Sequence, residues 1–117
     1  MRFLSRFWAR QFEEAFNHPL PRTLEEKVEL QDSVMEFLEK VGYEAEMAQV
    51  EAQRYLESGP PVGILPALLT ADQKKKEYRR LRWLARLAGF PPHLLEATER
   101  RIIARGRERG LIFPLFW

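Results

Sequence analysis

Apolar positions along the chain recur at helical spacing, and no stretch alternates apolar with polar as a half-buried strand would. Phe3, Leu4, Phe7, Trp8, Phe12, Ala15 and Phe16 fall on one half of a helical wheel, with Arg2, Arg6, Arg10 and Glu13 opposite. This predicts an amphipathic, strongly aromatic helix over 3–16. Pro19 and Pro21 then interrupt it, since each lacks an amide donor and biases its predecessor away from helical geometry.

The next helix is expected to begin after Thr23. In Thr23-Leu24-Glu25-Glu26 the hydroxyl can accept from the third helical amide while Glu26 reaches back to the amide of Thr23. Leu24, Val28, Gln31, Met35 and Leu38, with Leu30, Val34, Phe37 and Val41 alongside, form a broad face that belongs in a bundle core. Gly42 suits the left-handed residue that ends such a helix. A third helix over 44–57 carries Met47, Val50, Leu56 and three alanines inward, with Glu44, Glu46, Glu51 and Glu57 on its solvent side.

Three prolines and two glycines among five large apolar residues make 58–69 read as an ordered crossing loop. Thr70-Ala71-Asp72-Gln73 repeats the capping chemistry, so a helix is expected over 71–88, ending at Gly89, with Tyr78, Leu81, Leu84, Ala85 and Ala88 facing the core. Proline tolerated in a first turn opens the last helix, 92–109, with Leu95, Ile102 and Ile103 inward. An apolar tail, 111–117, follows. The expectation is an all-α single domain, 1–117, built as a compact bundle of about five helices.

The composition narrows the chemistry. Zero Cys among 117 residues removes disulfides, thiolate metal sites and a Cys nucleophile, and two histidines leave little for an imidazole site. Neither histidine follows a Glu at the three-residue spacing of di-iron bundles, and no glycine-rich phosphate loop precedes Lys74-Lys75-Lys76. No catalytic residue, cofactor or metal is expected. One Asn and two Asp against fifteen Glu and fourteen Arg suggest a thermophilic source. The opening residues place Arg every four positions and do not read as a cleaved signal, and no apolar run approaches a membrane span, so a cytoplasmic protein is expected.

Three kinds of partner suit the remaining features. Aromatic and arginine-rich patches are what protein interfaces select, and Phe3, Phe7, Trp8, Phe12, Phe113, Phe116 and Trp117 supply them at the two ends. The leading expectation is therefore a non-enzymatic accessory subunit or regulator that docks on another protein or on its own copy. The alternative is a nucleic-acid-associated protein, in which Lys75, Arg79, Arg82, Arg86, Arg100 and Arg107 track phosphates and Trp83 stacks a base. In support of it, Leu84–Leu95 resembles a helix-turn-helix corner, with Ala85 four residues before Gly89 and Leu95 six after it. The lesser alternative is peripheral membrane contact through the first helix, which Glu13 and Glu14 disfavour on anionic lipid.

The formal charge of +2 conceals a strong asymmetry. Residues 1–71 hold 7 Lys+Arg against 12 acids, and residues 72–117 hold 12 against 5. Opposite-charge packing inside the bundle or between chains is as natural an outcome as phosphate binding.

Overall fold

A computed structural model describes the backbone of residues 2–110 and the side chains of residues 6–110. Among these residues it is all-helical, with four helices: α1 (Arg2–Phe16), α2 (Leu24–Ser58), α3 (Pro61–Leu87) and α4 (Pro92–Glu108). The apolar tail at 111–117 lies outside the described residues.

Helix ends fall as expected at Thr23 and Gly89. The Thr23 side chain accepts from the Glu26 amide at 3.1 Å, as the capping motif requires. The reciprocal arm shifts by one residue, because Glu26 Oε2 accepts from the Arg22 amide instead of that of Thr23. Gly89 adopts φ +91, a left-handed conformation that closes α3.

One expected break is absent and another is shortened, so four helices replace the expected five. Gly42 does not end a helix; it is buried in the middle of the 35-residue α2. A Cβ built there would lie 2.3 Å from Ile102 Cδ1, 3.0 Å from Ile102 Cγ1 and 3.1 Å from Tyr78 Cε2. Gly42 is thus the point where α3 and α4 press against the α2 backbone, and that packing outweighs the roughly 1 kcal/mol helix penalty of glycine. The expected crossing loop at 58–69 is also corrected. Only Gly59 and Pro60 turn the chain, and Pro61 takes the first position of α3, where its missing amide costs nothing. The two loop glycines serve the Tyr55 ring, since a Cβ at either Gly59 or Gly63 would fall 2.5 Å from a ring carbon. Pro66 sits inside α3 and leaves the Val62 carbonyl without its helical donor, on a stretch open to water. Thr70 is mid-helix, because α3 is already running when its capping motif is reached.

Contacts along the elements define the packing. α4 runs parallel to α2, with Thr98 meeting Met35, Ile102 meeting Gly42, Arg105 over the Tyr43 ring and the Gly110 carbonyl held by Gln53. α3 runs antiparallel to α2, as Lys74–Glu44, Tyr78–Gly42 and Gly63–Tyr55 show. The core comprises Val34, Met35, Leu38 and Val41 of α2, Tyr78, Leu81 and Ala85 of α3, Leu95 and Ile102 of α4, and Phe12 of α1, closed by Phe90. Leu24 and Val28, expected in that core, are instead 78% and 61% exposed, because the core begins only at Leu30.

The bundle is elongated where a compact one was expected. Its extents are 51 × 27 × 19 Å and its radius of gyration is 16.2 Å, against about 13 Å for a compact chain of this length. α2 alone accounts for the long axis, about 52 Å at 1.5 Å per residue.

Gly42→Ala is expected to lower stability by a net ~1–2 kcal/mol, as overpacking against the fully buried Ile102 exceeds alanine's helix preference. Urea denaturation of G42A, I102V and the double variant checks this. Removing Cδ1 of Ile102 should cancel much of the G42A penalty, and strict additivity of the two losses would contradict the contact.

Candidate interaction surface

The aromatic residues of α1 divide into two groups. Phe12 is 1% exposed, stacks on Phe90 at 6.4 Å and tilts against Phe16 at 4.6 Å. Phe16 in turn meets Phe37 of α2 edge-on. These rings seal the end of the core where α3 turns into α4. One turn earlier, Trp8 packs edge-on to Trp83 of α3 at 4.7 Å and to Phe7 at 5.0 Å. Arg80 donates to Gln11 beside this seam. The outer side of the seam stays open, with Phe7 43%, Trp83 50% and Leu87 50% exposed. Of the other residues expected to touch a partner, Phe3 lies on α1 with its side chain outside those described, and Phe113, Phe116 and Trp117 lie outside the described residues.

A second apolar surface lies at the far end of the α2–α3 hairpin, in the segment expected to be a loop. Val62, Leu65 and Leu69 follow one another at i, i+3 and i+7, so they share one stripe of α3, at 86%, 64% and 57% exposure. Leu56, 59% exposed, sits near the end of α2. The signal that could have found this stripe was present: Pro60-Pro61 as a helix start, followed by apolar residues at helical spacing. Leaving such side chains in water forgoes about 1.5–3 kcal/mol each relative to burial.

The basic residues are partly used within the bundle. Arg82 pairs with Glu99 of α4, and Trp83 is engaged by Trp8. Lys75 and Arg79 interact with neighbours as well. Arg101 and Arg105 both reach Glu39, at 3.3 and 3.5 Å, while Lys74 reaches Glu44 at 3.5 Å. The charge asymmetry of the sequence is therefore met in part by α4 and α3 cations on α2 carboxylates. Arg86, Arg100 and Arg107 stay exposed, without a carboxylate partner among the described residues. The resemblance to a helix-turn-helix corner ends at the corner itself. Tyr78 and Ile102, twelve residues either side of Phe90, reach the same Gly42, so α3 and α4 lie side by side. A recognition helix would cross its predecessor at about 90–120°.

Burial holds the Tyr78 hydroxyl far above the usual phenol range, reinforced by the Glu99 carboxylate and opposed by Arg82. It stays protonated in the core. Thr98, also fully buried, donates to the Leu94 carbonyl at 3.0 Å and accepts from Arg101 at 3.3 Å. No group of three or more His, Cys, Asp or Glu among the described residues could hold a metal ion. No described helix is long and apolar enough to cross a membrane.

No family model, curated protein or solved structure matches this chain. The surfaces themselves carry the functional reading.

The Trp8–Trp83 contact is expected to contribute about 0.5–1.5 kcal/mol beyond area burial. A double-mutant cycle of Trp8→Ala and Trp83→Ala, followed by denaturant unfolding, measures it. A coupling near zero would mean that α1 is held by Phe12 and Phe16 alone.

Proposed function

We propose that this chain is a non-enzymatic helical interaction protein, an accessory subunit or regulator in the cytoplasm, which docks on another protein or on its own copy. The observation that supports it is the stripe of Val62, Leu65 and Leu69, with Leu56 nearby, left exposed by the end of a two-helix hairpin. Apolar side chains set in a helical row are read by partner proteins as i, i+3, i+7 anchors. The open side of the aromatic seam, Phe7, Trp83 and Leu87, adds a second contact on the same elongated body. Of the aromatic surface expected at the two ends, Phe12 is taken by the core and Trp8 by Trp83, Phe7 stays open, and Phe113, Phe116 and Trp117 lie outside the described residues. The hairpin end is added to it as the main docking surface.

Other readings have less behind them. A nucleic-acid reading retains Arg86, Arg100 and Arg107 as exposed arginines without carboxylate partners. Three phosphate contacts would give a salt slope of only about 2.7 on duplex DNA, at 0.9 per phosphate. The membrane reading through α1 loses Phe12 to the core and Trp8 to Trp83.

Replacing Leu65 by a photo-crosslinking amino acid in the native host is expected to give a discrete protein adduct. Adding Val62→Glu and Leu69→Glu should reduce its yield by tenfold or more, since each lost anchor costs about 1.5–3 kcal/mol. Helical circular dichroism should be unchanged by these exposed substitutions. Equal adducts from a probe at Glu29 on the acidic face, or none from position 65, would refute the proposal.

A further inference from the structure

Val62, Leu65 and Leu69 begin a line on α3 that continues, at helical spacing, through Asp72 and Lys76 to Trp83. The line faces away from α2, because Gly63 and Tyr78, which meet Tyr55 and Gly42, and the buried Ala71 occupy the other side of the helix. At its far end a helix is seated on it. Trp8 of α1 packs edge-on to Trp83, and Gln11 accepts from the neighbouring Arg80. At the near end no element among the described residues covers it, and Val62, Leu65 and Leu69 stay more than half exposed. One face of α3 is thus a helix seat that is filled at one end and bare at the other.

The chemistry of the bare end suits a second copy of itself. Between Glu57 and Asp72 the chain carries no charged side chain, so two such surfaces can meet without repulsion at their centre. The first charge on the line is Asp72, about 15 Å along the helix from Val62. When two α3 helices pair antiparallel, with Leu65 of each beside Leu69 of the other, Asp72 of each falls level with Val62 of the other. That level is the opening turn of α3, which holds no acid and whose Pro60 cap makes no side-chain hydrogen bond. A carboxylate there offsets the positive end of the helix dipole. Parallel pairing would instead set Asp72 against Asp72, a like-charge contact. Antiparallel self-pairing therefore combines an apolar centre with a complementary charge at each edge, and twofold symmetry supplies both twice.

We propose that the hairpin end is a self-association surface, on which two copies pair antiparallel through Val62, Leu65 and Leu69, with Asp72 of each at the opening turn of α3 in the other. This rests on the reading of the hairpin end as a docking surface and names its occupant. A contact about three helical turns long belongs to the class of interfaces below about 1,200 Å² in total, so the dimer dissociates in the micromolar range.

Sedimentation equilibrium of the full chain is expected to show a monomer–dimer equilibrium. Leu65→Glu or Leu69→Glu should weaken it by about tenfold or more, since each sets a carboxylate in the apolar centre. Leu24→Glu, at a similarly exposed apolar residue of α2, is the control and should leave it unchanged. The absence of cysteine lets disulfides report the register. Leu65→Cys and Leu69→Cys chains, mixed under mild oxidation, should cross-link to each other roughly fivefold faster than either does to itself, because the antiparallel pairing sets these two positions side by side. Circular dichroism of each variant verifies that the helices are retained. A chain still monomeric at about 0.2 mM, far above the micromolar range, would overturn the proposal. So would a dimer indifferent to both Glu substitutions, or a homodisulfide that forms faster than the mixed one. The docking role is read separately, from the photo-crosslink at position 65, where an adduct to the chain's own copy is expected. An adduct to a different protein, beside a monomeric chain, would keep the hairpin end as a docking surface and remove the self-pairing.

Discussion

Close approach of three helices at Gly42 is the constraint on which the rest of the molecule depends. Because no side chain stands there, Ile102 of α4 and Tyr78 of α3 can both press against the α2 backbone at one level. That contact sets the register of both neighbours. Leu38, Val41 and Ala45, the surrounding turns of α2, are then fully enclosed, and Glu39 is brought beneath Arg101 and Arg105. The ion pairs themselves are largely exposed and individually worth little. They follow from the packing, and they give the charge asymmetry between the two parts of the chain a physical outlet.

How much of this was legible in the sequence depends on whether a residue's role was local. Thr23 and Gly89 mark helix ends through their own side chain or backbone freedom, and those ends were read correctly. The buried face of α3, Tyr78 to Ala88, was legible from spacing alone. Gly42 and Gly63 lie inside helices against expectation because glycine carries two unrelated signals. At these positions it is there to let Ile102, Tyr78 or Tyr55 approach, and nothing in the neighbouring letters separates that from a helix stop. Thr70 shows the reverse case, a capping motif silenced because the helix had already started nine residues earlier.

The candidate interaction surface was legible only in outline. Excess aromatic content at the first helix pointed to contact with something, and much of that contact is internal, through Phe12 and Phe16. The helical spacing of Val62, Leu65 and Leu69 has no meaning while 58–69 reads as a loop, since a loop has no face. Once the segment is helical the same letters form a stripe. The basic ridge was legible as a set of residues but not as a surface, because the partners of Arg82 and Trp83 lie far away in sequence, at Glu99 and Trp8.

Pro66 has a bearing on how the hairpin end behaves over time. It deletes one rung of the hydrogen-bond ladder in the second turn of α3, at a place where the neighbouring side chains are mostly in water. Local opening there sacrifices few buried contacts, whereas opening around Tyr78 and Gly42 exposes the core. Stability is therefore graded along the rod, from a firm middle to a yielding tip. The tip can rearrange at small energetic cost without disturbing the three-helix junction that keeps the molecule folded.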